Sequence, residues 1–475
     1  MNTSQPTLPT LVFDADLLRR HDQSGPRYTS YPTAVQFAEQ FGESQYRNAA
    51  IASSQGDRPL SLYVHLPFCG VVCYYCACNK IITANRKVAA PYLADLHQEI
   101  ALQGKLFGQQ RVVDQLHWGG GTPTFISPEQ MTALMQQLRT HFRFRDDDLG
   151  DYSIEIDPRE VTPETIRLLR ELGFNRMSFG VQDFDPVVQK AVNRIQTVSE
   201  TERAVQAARE YGFRSINIDL IYGLPFQDVA GFGRTLDRVL AMAPDRLSVF
   251  NYAHMPHLFK VQKQMDAATL PSPAVKLAIL QSVIERLQAE GYVYIGMDHF
   301  ARPDDELAIA QANGTLYRNF QGYSTHAGCD LVAMGVTSIG MVGTTYSQNV
   351  RTVEEYHECI AQGRLPVFRG VELTRDDQIR RALITGLICH FSIDKQSFGN
   401  YWQIAFDDYF SEEIQRLGML ADDGLVELSQ DTIQVPLKGR LLIRTICMVF
   451  DRYLPSDMPK EMIGTVQPAR FSRLI

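Results

Sequence analysis

Four of the chain's eight cysteines crowd into HLPFCGVVCYYCACNKI, residues 65–81: Cys69, Cys73, Cys76 and Cys78. Gaps of three, two and one residues put these thiols on a single short loop. In a reducing compartment such a group points to metal or redox chemistry more than to disulfides. Three chemistries compete. A structural zinc site joins two separated pairs of ligands; no second pair stands at the usual separation here, although His65 or His97 could add a ligand. Cys73-Tyr-Tyr-Cys76 has the spacing of a redox dithiol, but such a motif opens a helix in a different fold. An iron–sulfur cluster needs thiolates that converge on a compact sulfide-bridged body, which a curled loop can supply. If only Cys69, Cys73 and Cys76 ligate, one iron keeps the open position that a catalytic metal site requires. The other cysteines, Cys329, Cys359, Cys389 and Cys447, stand singly and read as buried or idle thiols.

A loop of this kind must be held by something rigid. β-type runs recur at LYVHLPF (62–68), QLHWGGG (115–121), YSIEIDP (152–158), RMSFGVQ (176–182), INIDLIYGLP (216–225), RLSVFNY (246–252) and YVYIGMDHF (292–300). Helical segments fall between them, two of which open Ser-Pro-Glu and Thr-Pro-Glu, a helix-start signature. Strand–helix alternation predicts βα units around a parallel sheet. Parallel strands covered on both faces normally read as continuous Val, Ile and Leu. Here Ser153, Glu155 and Asp157 share one side of their strand, as do Asn217 and Asp219, and Ser178, Gly180 and Gln182. A closed eight-stranded barrel packs its lumen with apolar side chains. A polar lumen predicts a wider, incomplete barrel of about six strands around a polar ligand. The loop after the first strand then lies at the carboxyl end, where active sites of such folds sit.

Residues 1–55, with SGPRYTSYPT at 24–33, read as an irregular arm or lid. Residues 56–365 form the incomplete barrel, with the Gly-rich stretch 322–343 closing its side, and 366–475 a mostly helical, winged-helix-like unit. A formal net charge of −8 argues against a nucleic-acid partner. The amino terminus lacks a secretory signal, and no stretch approaches the roughly 18 apolar residues of a membrane span. A cytoplasmic monomer is expected.

Cys-x3-Cys-x2-Cys after the first strand of a βα repeat resembles the radical S-adenosylmethionine (SAM) superfamily. With Cys78 added, and with SGPRYTSYPTA, HWGGGTPT, IEIDPRE, GVQDF, NIDLIYGLP, RLSVFNYAHMP, GMDHFARPDDELA and KGRLLIRTICM, nearly the whole chain resembles the oxygen-independent coproporphyrinogen III oxidase family. That resemblance implies a 4Fe–4S cluster on Cys69, Cys73 and Cys76, with Cys78 a non-ligand of open role, and two SAM molecules. Matching positions for the first SAM are Tyr63, Tyr75, Gly120, Glu155 and Ile339. Those for the second are Gly121, Thr122, Gln182, Arg194, Asp219 and Ala253. Tyr75 stands where the family often has Phe. The implied reaction uses a low-potential electron donor and a SAM-derived radical to remove hydrogen from two propionates of coproporphyrinogen III. Carbon dioxide is lost, leaving vinyl groups and protoporphyrinogen IX. Arg27, Tyr28 and Tyr31 are expected to cover the substrate, Arg27 facing a carboxylate. His65, His117, His254 and His299 read as structural histidines, and no catalytic acid or base is assigned. The rival within the superfamily is a haem chaperone, which lacks the RYTSYPT arm and the fourth cysteine; this chain has both.

Overall fold

The computed structural model describes residues 10–454. Six strands take up the sequence runs: β1 (Leu60–Leu66), β2 (Val112–Gly120), β3 (Asp151–Ile156), β4 (Arg176–Gln182), β5 (Ser215–Tyr222) and β6 (Arg246–Asn251). They pair in parallel and in chain order, β1-β2-β3-β4-β5-β6. Helices cross back between them. Those at Pro128–His141 and Pro163–Glu171 begin where the sequence marks a start: Ser127 and Thr162 accept the backbone N–H three residues on, each at 3.3 Å.

The alternation in the strands is real and runs across the sheet. In β3 the odd positions are half-buried and the even ones buried. Register sets Glu155 opposite Ser178, Ser178 opposite Asn217, and Asp219 between Gly180 and Ser248. One face is therefore a polar band, knitted by Ser178 Oγ–Asp219 Oδ2 and Asn217 Nδ2–Asp219 Oδ1, both 2.8 Å. The other face, with Ile154, Met177, Phe179, Ile216 and Ile218, packs under the helices in the main core.

The run at 292–300 departs from expectation. It is a hairpin of β7 (Val293–Gly296) and β8 (His299–Ala301), not one strand. Gly296 (φ 146°) and Met297 (φ 56°) turn the chain, and β8 joins β6 antiparallel. On the other flank, β9 (Asp330–Met334) lies parallel to β1. The antiparallel β10 (Ile339–Val342), β11 (Thr345–Asn349) and β12 (Val367–Glu372) extend the sheet beyond it. The Gly-rich stretch thus seals the outer side of β1.

Beyond β12, a helix capped by Thr374 (Arg375–His390) packs with further helices and a small sheet of Ser392–Asp394, Thr432–Gln434 and Glu427–Leu428. The amino-terminal arm is folded against this region. Arg444 Nε donates to Pro26 O at 3.0 Å, and Ala38 makes a β-bridge with Gly370. Among the described residues no helix is long and apolar enough to cross a membrane.

Candidate active site

The cysteine loop leaves β1 and is fastened on both sides. Phe68–Cys69 pairs with Ile81–Ile82, closed by Ile81 N–H to Pro67 O at 2.7 Å and Thr83 N–H to Cys69 O at 3.0 Å. Its middle is tied to the segment after β4, through Tyr74 N–H to Val192 O (3.0 Å) and Asn193 Nδ2 to Val72 O (2.8 Å). Backbone bonds thus fix where the thiols point.

Cys69, Cys73 and Cys76 line one cavity of about 180 Å³ at the carboxyl ends of the central strands. Tyr75, Gly120, Gly121, Thr122, Glu155, Gln182, Arg194 and Asp219 line it as well. Tyr63, Ala253 and Ile339 do not. Tyr63 stacks on His117 with ring centroids 5.8 Å apart and packs near Ile339 in a small apolar cluster, while Ala253 O accepts from Gln262 Nε2 at 3.2 Å.

The glycine run is close to obligatory here. Gly120 has φ 112°, and a Cβ on Gly121 would meet Phe68 O at 2.6 Å. Its own amide donates to Leu66 O at 2.8 Å, so β2 is pressed against the root of the loop. Gly120 N–H also donates to Glu155 Oε2 at 3.1 Å. Burial opposes the charge on Glu155, yet His117, that amide and the neighbouring ring hold its carboxyl below the usual range. Burial lifts the Asp219 carboxyl, against hydrogen bonds from Ser178, Ser248 and Asn217.

The sulfurs have polar neighbours. Arg194 Nη1 is 3.5 Å from Cys73 Sγ, and Thr122 Oγ1 is 3.6 Å from Cys69 Sγ. Burial pushes the Cys69 thiol up to about 11. Hydrogen bonding by Cys78, against burial and helped by the Lys80 charge, draws Cys76 down to about 6. Asp157 accepts from Arg159 Nη2 at 2.7 Å and Arg194 Nη1 at 3.1 Å, orienting the guanidinium beside Cys73. Ser178 and Asp157, which the sequence placed on the polar side of their strands without assigning them to the site, line the same cavity, as do Arg159 and Lys80. No spacing rule finds Arg159 or Lys80.

Two residues that line the cavity each keep a buried polar atom without a protein partner: Gln182 Oε1 and Arg194 Nε. Gln182 also holds φ 69° at a bulge in β4, a backbone state that non-glycine residues seldom adopt. Strained, unpaired polar groups at one site mark a place built for a ligand.

The arm residues fall elsewhere. Tyr28 (5% exposed) donates to Asp451 Oδ2 at 3.0 Å, and Tyr31 (2% exposed) accepts Arg452 N–H at 3.1 Å. Both tyrosines pack into the carboxyl-terminal region. Arg27 instead reaches the polar face of the sheet. It is ion-paired with Asp298 and lies 6.0 Å from the Phe250 ring. Beside it, His299 packs edge-on to Phe250 and Tyr323, and Arg318 lies 4.6 Å over Tyr323. Arg318, 8% exposed, leaves Nε and Nη1 without partners, and His299 leaves Nδ1. Burial and the Arg318 charge push His299 down to about 3. Nothing in the sequence pattern marked Arg318. The other three histidines singled out from sequence are satisfied locally: His65 by Tyr63, His117 by Ser153 and His254 by Tyr252, at 2.7–2.9 Å.

Comparison with known proteins gives this geometry its context. Residues 63–239 match the family model of the Radical SAM superfamily, and residues 373–442 that of the HemN C-terminal domain. Over 468 residues the chain is 55% identical to the oxygen-independent coproporphyrinogen III oxidase of Pseudomonas aeruginosa, covering 98% of this chain and 100% of that one. The chain belongs to the oxygen-independent coproporphyrinogen III oxidase family. The Escherichia coli relative of the same name is 51% identical, over 96% of this chain and 98% of its own. The solved structure described as coproporphyrinogen III oxidase (HemN) from Escherichia coli, a radical SAM enzyme, aligns with TM-score 0.89 at 50% identity. It covers 94% of this chain and 100% of that chain. The radical SAM fold and the reading as an oxidoreductase both stand on these relations. Family membership implies a 4Fe–4S cluster and SAM, and the residues fit them. The zinc alternative fares worse. Sulfurs around one zinc, at about 2.3 Å each, lie within about 4.6 Å of one another. Among the described residues the group of donors within 4.8 Å of each other is a different one, and the loop thiols are not in it.

Proposed function

We propose that the chain catalyses oxygen-independent conversion of coproporphyrinogen III to protoporphyrinogen IX by oxidative decarboxylation of two propionates. The observation that carries this reading is one cavity. Three cysteines, a glycine run and the polar ends of three strands meet there, in a chain related along 98% of its length to an enzyme of that name. When bound, the cluster and SAM supply one-electron chemistry and a carbon radical able to take a hydrogen atom.

Cys69, Cys73 and Cys76 are the ligands proposed for the cluster, with Arg194, Arg159 and Thr122 setting the field around the sulfurs. Gly120, Gly121 and Thr122 offer backbone at close range for the amino-acid end of SAM, Glu155 a carboxylate, and Tyr75 a ring wall. Gln182, Arg194 and Asp219 are proposed for a second SAM. Their unpaired atoms, Gln182 Oε1 and Arg194 Nε, support a polar ligand there. Tyr63, Ile339 and Ala253 would then act from behind the cavity wall. For the substrate, Arg27 and Arg318 are apt to take propionate carboxylates, because guanidinium forks match carboxylates. Low-potential electron delivery, a cytoplasmic setting and a monomeric state complete the proposal.

The test is an anaerobic incubation of cluster-loaded protein with coproporphyrinogen III, SAM and a strong reductant. Vinyl-bearing product with release of methionine and carbon dioxide is expected. Stable haem binding with no product would replace this reading by the haem-chaperone one.

A further inference from the structure

The pole of the sheet opposite the cysteine loop gathers one Asp, one His and one Cys, residue types that can ligate a metal. Asp114 lies near the start of β2, Cys329 directly precedes β9, and His326 stands in the connection between Gly322–Ser324 and β9. One donor atom from each, a carboxylate oxygen, a ring nitrogen and Sγ, lies within 4.8 Å of the others. Among the described residues no other trio of His, Cys, Asp and Glu draws this close. We infer that Asp114, His326 and Cys329 form a zinc site that clips the 325–329 connection onto the foot of the sheet.

The donor set selects the ion. A thiolate, an imidazole and a carboxylate suit a borderline-soft ion of zinc's type, whereas calcium and magnesium want oxygen alone. Three protein ligands leave a fourth tetrahedral position for water. Bond lengths of about 2.0–2.3 Å require donors about 3–4 Å apart, inside the 4.8 Å limit that the three atoms meet. Arg145 Nη1 holds Asp114 Oδ1 at 2.9 Å, which orients the carboxylate from outside the trio. Cys329 is 9% exposed.

Topology gives the site a purpose. Leu60, the first residue of β1, pairs with Val113 on one side and Asp330 on the other. Asp114 and Cys329 are the chain neighbours of those two partners. An ion between them would tie together the strands that flank β1, at the end remote from the loop that β1 carries.

The test uses cluster-loaded enzyme prepared anaerobically with zinc sulfate present, then freed of loose metal. Elemental analysis should find about one zinc per chain beside the cluster iron. Cys329→Ser and His326→Ala should lose that zinc and keep their iron. Chelation should lower the melting temperature of the parent enzyme and leave that of Cys329→Ser unmoved. Cys76→Ser is the counter-arm: it should lose iron and keep zinc. Zinc content equal in the parent and Cys329→Ser, or zinc that follows Cys76 instead, overturns the proposal. Should Cys329→Ser fold poorly, Asp114→Asn keeps the shape and must show weakened zinc retention; unchanged retention there would also count against the site.

Discussion

Arg194 joins two jobs in one side chain. One nitrogen lies against Cys73 Sγ, the same nitrogen bonds Asp157, and another bonds Gly180 O. Replacing it with Met keeps bulk but strips the charge from beside the sulfur and leaves Asp157 with Arg159 alone. Hydrogen bonds to ligand sulfur raise a cluster's potential, so Arg194→Met should lower the midpoint potential, read by EPR-monitored titration. It should also weaken SAM binding by roughly 10-fold or more, the worth of about 1.5–3 kcal/mol for a charged hydrogen bond. An unchanged midpoint with unchanged SAM affinity would remove Arg194 from the site. Arg318 makes the companion case. Arg318→Met should raise KM for the porphyrinogen by roughly 10-fold, on the same scale for a charged bond, while SAM affinity stays as in the parent. A fall in kcat with KM untouched would make Arg318 a packing residue.

Elements, more than single residues, decide how close things come. β2 ends in three glycines because it is pressed against the foot of the cysteine loop, and Gly121 has backbone where a Cβ would go. Gly121→Ala should therefore push the loop away from β2. The expected result is substoichiometric iron after reconstitution and loss of most turnover; full iron with normal turnover would show that the loop gives way at little cost. This crowding was half readable in advance. The run HWGGGTPT announced close approach, and the polar alternation of β3, β4 and β5 correctly announced an open, polar-lined sheet. What failed was direction. YVYIGMDHF looks like one strand, because its two halves carry the same β-type residues and only Gly296 and Met297 reverse the chain. That hairpin delivers Asp298 and His299 to the polar face, and with them the contacts of Arg27. Arg318 was invisible for another reason: its meaning lies in having unpaired atoms after folding, and no spacing in the sequence encodes that.

Across the whole molecule, the amino-terminal arm behaves as a strap between two regions. Tyr28, Tyr31 and the carbonyl of Pro26 fasten it to the carboxyl-terminal region, while Arg27 fastens it to the sheet through Asp298. Removing residues 1–35 should expose apolar surface around Tyr453 and Cys447 and lower the melting temperature by several degrees as well as abolish turnover. Unchanged turnover would end any role for the arm at the site. The Asp298 tie adds a pH dependence. Burial opposes its ionisation, but Arg27 and nearby positive groups win, so its carboxyl lies below the ordinary 3.8 in the folded chain. The stabilisation is then complete above 3.8 and is lost as pH falls through the lower, folded value. Asp298→Asn should shed that contribution at neutral pH and show a flatter loss of stability on acidification; parallel acid profiles would assign the tie no weight.

The two neighbours of β1 come from very different parts of the chain. On one side it meets β2, which follows it closely; on the other it meets β9, which begins only at Asp330. During synthesis, β1 through β6 can assemble in the order they emerge from the ribosome, each strand docking on the last. One edge of β1 stays uncovered until β9 has been made. An unpaired edge of that kind invites pairing with another chain. The cysteine loop hangs from this late-sealed strand, so its root is braced on both sides only once Asp330–Met334 has been made.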